Sequence, residues 1–145
     1  MELPRNFTGY DTGRLPFKSF QAFCFSLQGY GALNVLEVFD YDYPKNYYAA
    51  LVSDRDNEFY ILQNCFVPLT AFALKEADEF IFIDKPSIEN AASNLCEVRR
   101  FLSRSELTAN VETANLQQLS SNEMKEVKYW LPDTIGGVIF SWYFD

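Results

Sequence analysis

Tyr47-Tyr48-Ala49-Ala50-Leu51-Val52-Ser53, then Asp54-Arg55-Asp56-Asn57, then Glu58-Phe59-Tyr60-Ile61-Leu62-Gln63 form two apolar runs divided by four polar turn formers. The runs are rich in aromatic and β-branched residues, which suit a pleated, packed surface, and Asp and Asn favour turns because their side chains bond nearby backbone. The pattern predicts a β-hairpin with a four-residue loop. Upstream, Asn34 to Tyr41 reads as a further strand that stops before Pro44. Downstream, Cys65 to Leu74 extends the sheet, with Pro68 marking a bulge or an edge because proline offers no N–H to a central ladder. Glu79 to Asp84 holds Phe80, Ile81, Phe82 and Ile83 in succession, which predicts a strand covered on both faces.

Helices flank this strand block. Phe17 to Gln28 places Phe17, Phe20, Phe23, Cys24 and Leu27 at helical spacing, with Gly29 where a helix end wants positive φ. The alternation of Phe23, Phe25 and Leu27 leaves a strand open there as well. Ser87 to Arg104, opened by Pro86 and Ser87, carries the stripe Ile88, Ala91, Ala92, Leu95, Val98, Phe101 and Leu102 and predicts one long helix. Leu107 to Leu116 suits a polar edge strand or a loop. Ser120 and Glu123 form a capping box for a helix through Trp130, ended by Pro132. A Gly136-Gly137 turn then leads into a terminal strand from Val138 to Phe144. Residues 1–16, with Pro4, Gly9, Gly13 and Pro16, read as an irregular arm. The order of elements predicts an α+β fold over 1–145, a single domain with a largely antiparallel sheet and two or three helices packed on one face.

Composition narrows the function. At 145 residues and 48% hydrophobic, with 17% aromatic, the chain can build one sizeable core and is excluded from the disordered class. Its 20 acidic against 12 basic residues give a net charge of -8, which argues against direct nucleic-acid binding, since phosphate neutralisation needs a cationic excess. There is no histidine, which removes Ser-His-Asp and Cys-His nucleophile systems and HExxH zinc sites. Cys24, Cys65 and Cys96 are widely scattered, too few for a zinc knuckle, and read as reduced, buried thiols of a reducing compartment, the alternative being one disulfide and a free thiol. The start Met1-Glu2-Leu3-Pro4-Arg5-Asn6 lacks a signal-peptide pattern, and no window approaches the roughly 18 apolar residues of a membrane span. A cytoplasmic protein with no cofactor and no metal is expected.

Carboxylates supply the candidate site. Asp40, Tyr41, Asp42 and Tyr43 follow the first strand, and Asp54, Asp56 and Glu58 occupy the hairpin loop. Their plain role is to solvate turns. Their functional role is an acidic, aromatic recognition surface for a basic partner, Tyr41 and Tyr43 being rigid amphipathic anchors. Glu76, Asp78, Glu79 and Asp145 add to the acidic surface, and an outward ring within Trp142-Tyr143-Phe144 is a further interface candidate. The loop from Asp54 to Glu58 lacks the glycine and distal glutamate of an EF-hand. Gly29-Tyr30-Gly31 and Gly136-Gly137 lack P-loop spacing and its lysine, so they read as turns. Two other classes stay open: a hydrolase of sugars working with two carboxyl groups, and an acidic regulatory or scaffold module.

The stretch Trp130-Leu131-Pro132-Asp133-Thr134-Ile135-Gly136-Gly137-Val138-Ile139-Phe140 resembles the closing segment of small bacterial immunity proteins that accompany polymorphic or contact-dependent growth inhibition toxins. Pro132, Thr134, Ile135, Gly136, Val138, Ile139, Phe140 and Asp145 agree with that tail, while Ser141 stands where the family has Asn and Trp142-Tyr143-Phe144 exceeds its aromatic pair. The resemblance implies a non-enzymatic, cytosolic protein that binds and neutralises a cognate toxin domain, commonly a nuclease with a basic groove. Under it, Asp40 to Tyr43 and Asp54 to Glu58 supply the contacts, and Trp130, Pro132, Gly136 and Phe140 hold the fold.

Overall fold

Asp54 sets the hairpin. In the computed structural model, which describes residues 13–42, 45–77, 79–95, 99–110 and 134–140, its Oδ1 accepts the N–H groups of Asp56 (2.9 Å) and Asn57 (3.1 Å), and its own N–H reaches the Asn57 carbonyl. This local turn fixes the register of β2 (Tyr47–Ser53) against β3 (Glu58–Asn64), from Ser53 opposite Glu58 to Tyr47 opposite Asn64. The sheet grows outward by antiparallel pairing to β1 (Asn34–Phe39) on one side and to β4 (Leu69–Glu76) and β5 (Glu79–Ile83) on the other. A sixth strand, β6 (Arg100–Phe101), lies parallel to the start of β4. Pro68 precedes β4 instead of interrupting it, and its carbonyl accepts the Arg100 N–H that begins β6.

Strand alternation sends side chains to two separate cores. Tyr48, Ala50, Val52, Phe59, Ile61 and Phe72 meet α1 (Phe17–Gly29) and α2 (Pro86–Ala92), which contribute Phe20, Phe23, Cys24, Leu27, Ile88, Ala91 and Ala92. That is the helix layer expected from the sequence. The opposite face is covered too: Ala49, Leu62, Ala71, Ala73 and Phe82 pack under α3 (Arg104–Thr108) and α4 (Ile135–Ile139). The fold is α+β, a six-stranded, mostly antiparallel open sheet. Burial on both faces explains why β2 to β4 read as near-continuous apolar runs.

Several local expectations are corrected. α1 continues through Gly29, and the left-handed residue is Gly31 at φ +88°, in a Schellman ending where Gly31 N–H meets the Gln28 carbonyl and Ala32 N–H meets that of Leu27. The long helix from Ser87 to Arg104 does not form. α2 tightens into a 3-10 turn at Ser93–Leu95, where Ser93 Oγ and Asn94 Nδ2 both bond back to the Asn90 carbonyl. Phe101 instead enters the sheet, stacked on Phe72 at 5.6 Å, and Leu102 N–H bonds the Thr70 carbonyl. Ser103 and Glu106 then cap α3 reciprocally, at 3.1 and 3.2 Å.

The Gly136-Gly137 pair is helical, not a turn, and the strand expected from Val138 begins as α4. Thr134 Oγ1 caps it by accepting the Gly137 N–H (3.1 Å), while the buried Asn46 and Asn64 donate to the Val138 and Ile139 carbonyls at 3.2 and 2.8 Å. A Cβ on Gly136 would overlap the Phe82 ring and lie 3.1 Å from the Leu107 carbonyl oxygen, so glycine allows α4 to close on the sheet. β5 meets both cores, Phe82 being buried in one and Ile83 packed against the other, while Ile81 between them is 41% exposed; among the described residues no strand follows β5. The expected helix from Ser120 to Trp130, most of the N-terminal arm and the residues after Phe140 lie outside the described residues.

Candidate functional site

Where β1 ends, the chain turns through Asp40, Tyr41 and Asp42, and Tyr43 lies outside the described residues. Asp40 Oδ1 accepts the Tyr41 N–H at 2.6 Å and sits 3.9 Å from the Arg14 guanidinium. That guanidinium lies over the Tyr41 ring (4.5 Å to its centre), whose edge meets Phe66 at 6.4 Å. Tyr41 is therefore a half-buried packing residue, while the Asp40 and Asp42 side chains face solvent.

The hairpin loop is a different environment. Asp54 Oδ2 pairs with Lys85 Nζ at 2.8 Å, and the Asp54 side chain is only 11% exposed. Lys85 also donates to Asn57 Oδ1 (2.9 Å) and stands 4.6 Å above the Phe59 ring. Burial alone would raise the Asp54 pKa, but hydrogen bonds from Lys85 and from the Asn57 and Asp56 N–H groups, with the Lys85 charge, outweigh it and lower the pKa. Asp54 belongs to the fold, leaving Asp56 and Glu58 as the loop's exposed carboxylates.

The two predicted segments do not form one patch. Phe39 pairs with Ala49 and Asn34 with Ser53, so Asp40 leaves the sheet at the Tyr47 end of β2 and Asp54 at the other. At about 3.3 Å per residue, the seven residues of β2 separate them by roughly 20 Å. Acidic and basic side chains nearly balance among the described residues, so most of the -8 charge falls outside them.

Sequence reasoning missed the open edge itself. Among the described residues β1 borders no further strand; a bulge falls between Val35 and Glu37, and Leu36 is 50% and Phe39 38% exposed. Gln28 Oε1 of α1 accepts the Val35 N–H at 2.8 Å, joining helix and edge. Phe25, three residues before Gln28 and therefore on a neighbouring part of the same helix side, is 49% exposed. The exposed side of α1 was legible only once the helix was chosen over the strand at Phe23, Phe25 and Leu27.

A second feature is a cavity of about 150 Å³ lined by Phe23, Glu89, Ala92, Ser93, Arg99 and Phe101. Arg99 donates to Gln63 Oε1 and to Thr70 Oγ1 (3.0 Å), and its guanidinium stacks 3.7 Å from the Phe23 ring centre. Burial, followed by the nearby Asp84 charge, raises the Glu89 pKa. Elsewhere, burial pushes the Cys65 thiol up to about 12, with Arg14 opposing and Asp40 adding to the shift, so it stays protonated near neutral pH and is a poor nucleophile. Among the described residues no three Cys, Asp or Glu side chains are grouped to hold a metal ion, and no helix is long and apolar enough to cross a membrane. Compared with known protein families, with curated proteins and with solved structures, the chain finds no match.

Proposed function

We propose that this protein is an immunity-type inhibitor that binds a cationic toxin domain, of nuclease character, and holds it inactive. The reading is carried by the edge at β1, where exposed Leu36 and Phe39 lie among Glu37, Asp40 and Asp42. Apolar anchors ringed by carboxylates suit a partner whose own surface must be positive to grip nucleic acid, and opposed charge speeds encounter and rejects wrong partners. The segment that resembles immunity-protein tails supports the reading from the interior: Ile135, Val138, Ile139 and Phe140 are buried in the second core, and Gly136 is buried against Phe82. A sugar hydrolase needs two facing carboxyl groups, and among the described residues the cavity beside Phe23 and Arg99 is lined by one carboxylate, Glu89.

The test is protection. A toxin gene of nuclease type is expected beside the gene for this chain; cells expressing its toxic domain should survive when the chain is co-produced, and the purified domain should lose activity at equimolar inhibitor. Death of protected cells, or turnover of a glycoside by the chain alone, contradicts the proposal.

A further inference from the structure

Resting on that reading, we infer that the contact surface is the β1 edge with the adjoining side of α1, anchored by Phe25, Leu36 and Phe39, and that its occupant is a cationic protein surface gripped by side chains. Five large apolar residues are exposed among those described: Leu36 and Phe39 lie on the border strand β1, Phe39 opposite Ala49 on the face of the second core, and Phe25 lies on α1 three residues before the Gln28 that bonds β1 on the other face. Scattered apolar residues are ordinary on a surface; grouped beside an open edge they mark contact.

Charge selects the occupant. From Asn34 to Asp42 the chain carries Glu37, Asp40 and Asp42 and no basic residue. Arg14 offsets part of this at 3.9 Å from Asp40, an exposed pair of small worth. A second copy would bring Glu37, Asp40 and Asp42 against their own like charges, whereas a lysine- or arginine-bearing surface finds a carboxylate beside Leu36 and another beside Phe39.

The backbone selects the mode. The Val35 N–H is already taken by Gln28, and the bulge at Leu36 bends the strand away from ladder geometry. Edges blunted in this way resist strand addition, which leaves the side chains to make the contact. The Asp54 to Glu58 loop is excluded as the anchor because Asp54 is committed to Lys85 and the loop presents no exposed large apolar residue.

The experiment is a nitrogen-15 chemical-shift titration of the full chain with a short synthetic peptide of alternating lysine and leucine at low ionic strength. The largest shifts are expected at Phe25 and from Leu36 to Asp42. The double variant Leu36→Ser/Phe39→Ser, at exposed positions compatible with folding, should bind about tenfold more weakly. Asp56→Asn/Glu58→Gln should bind as the parent does. Shifts centred on 54–58, equal affinity in the Leu36→Ser/Phe39→Ser protein, new backbone protection along β1, or no saturable shift would each overturn the inference. Protection of cells failing while this titration succeeds removes only the toxin assignment; the converse removes only the edge.

Discussion

At Asp54 two opposing effects meet: burial disfavours the carboxylate, and Lys85 with two backbone N–H groups favours it more strongly. A folded pKa below the unfolded one means the stabilisation is present above the unfolded value and is lost as pH falls through the folded value. Asp54→Asn should therefore cost about 2 kcal/mol at neutral pH, a charged hydrogen-bonded pair being replaced by a neutral one. Urea unfolding should show the deficit at neutral pH and its shrinkage on acidification. Cys65 has the reverse sign. Its thiol stays protonated up to about 12, so its contribution holds below the unfolded thiol value and fades as pH rises toward the folded one. Cys24 and Cys65 are both buried, and mass spectrometry after alkylation should find them modified only once denaturant is added. Gly136 is the third sensitive position. Gly136→Ala should lower stability by about 1–3 kcal/mol through overlap with Phe82, a loss that Phe82→Leu should partly restore in thermal melts.

Single elements show where sequence pattern succeeds and where it is overruled. The hairpin was legible because turn chemistry and alternation agree: β2 spans Tyr47–Ser53 as expected, and β3 adds only Asn64. α1 was legible from the spacing of its buried residues. The segment after Ala92 was not, because Phe101 and Leu102 continue a helical stripe by accident of spacing while their backbone bonds to Pro68 and Thr70, far away in sequence. The Ser103 and Glu106 box was readable and marks a new helix start. Ser103→Ala should cost about 1 kcal/mol, measured by urea unfolding, by removing that cap. α4 could not be foreseen from its two glycines, since partners on the sheet hold it. Asn64→Ala, which strips the Ile139 carbonyl of its donor, should destabilise by about 1–3 kcal/mol.

For the whole molecule, the α+β class followed from element order, but the second helix layer did not, because α3 and α4 are five residues each and carry too short a stripe to read. The acidic segments were visible as sequence, and their separation was not, since it depends on pairing directions along β2. That separation moves the candidate surface from two loops to one border of the sheet, where Leu36 and Phe39 sit among Glu37, Asp40 and Asp42. Binding there should be fast and sensitive to salt, because exposed charges are screened as ionic strength rises. The most direct measurement is a calorimetric titration of the chain against the purified product of any toxin-like gene found beside its own, at low and at high salt. One-to-one binding that weakens with salt, and weakens again in Leu36→Ser/Phe39→Ser, is expected. No heat of binding, or an affinity that neither salt nor that double substitution alters, would contradict it.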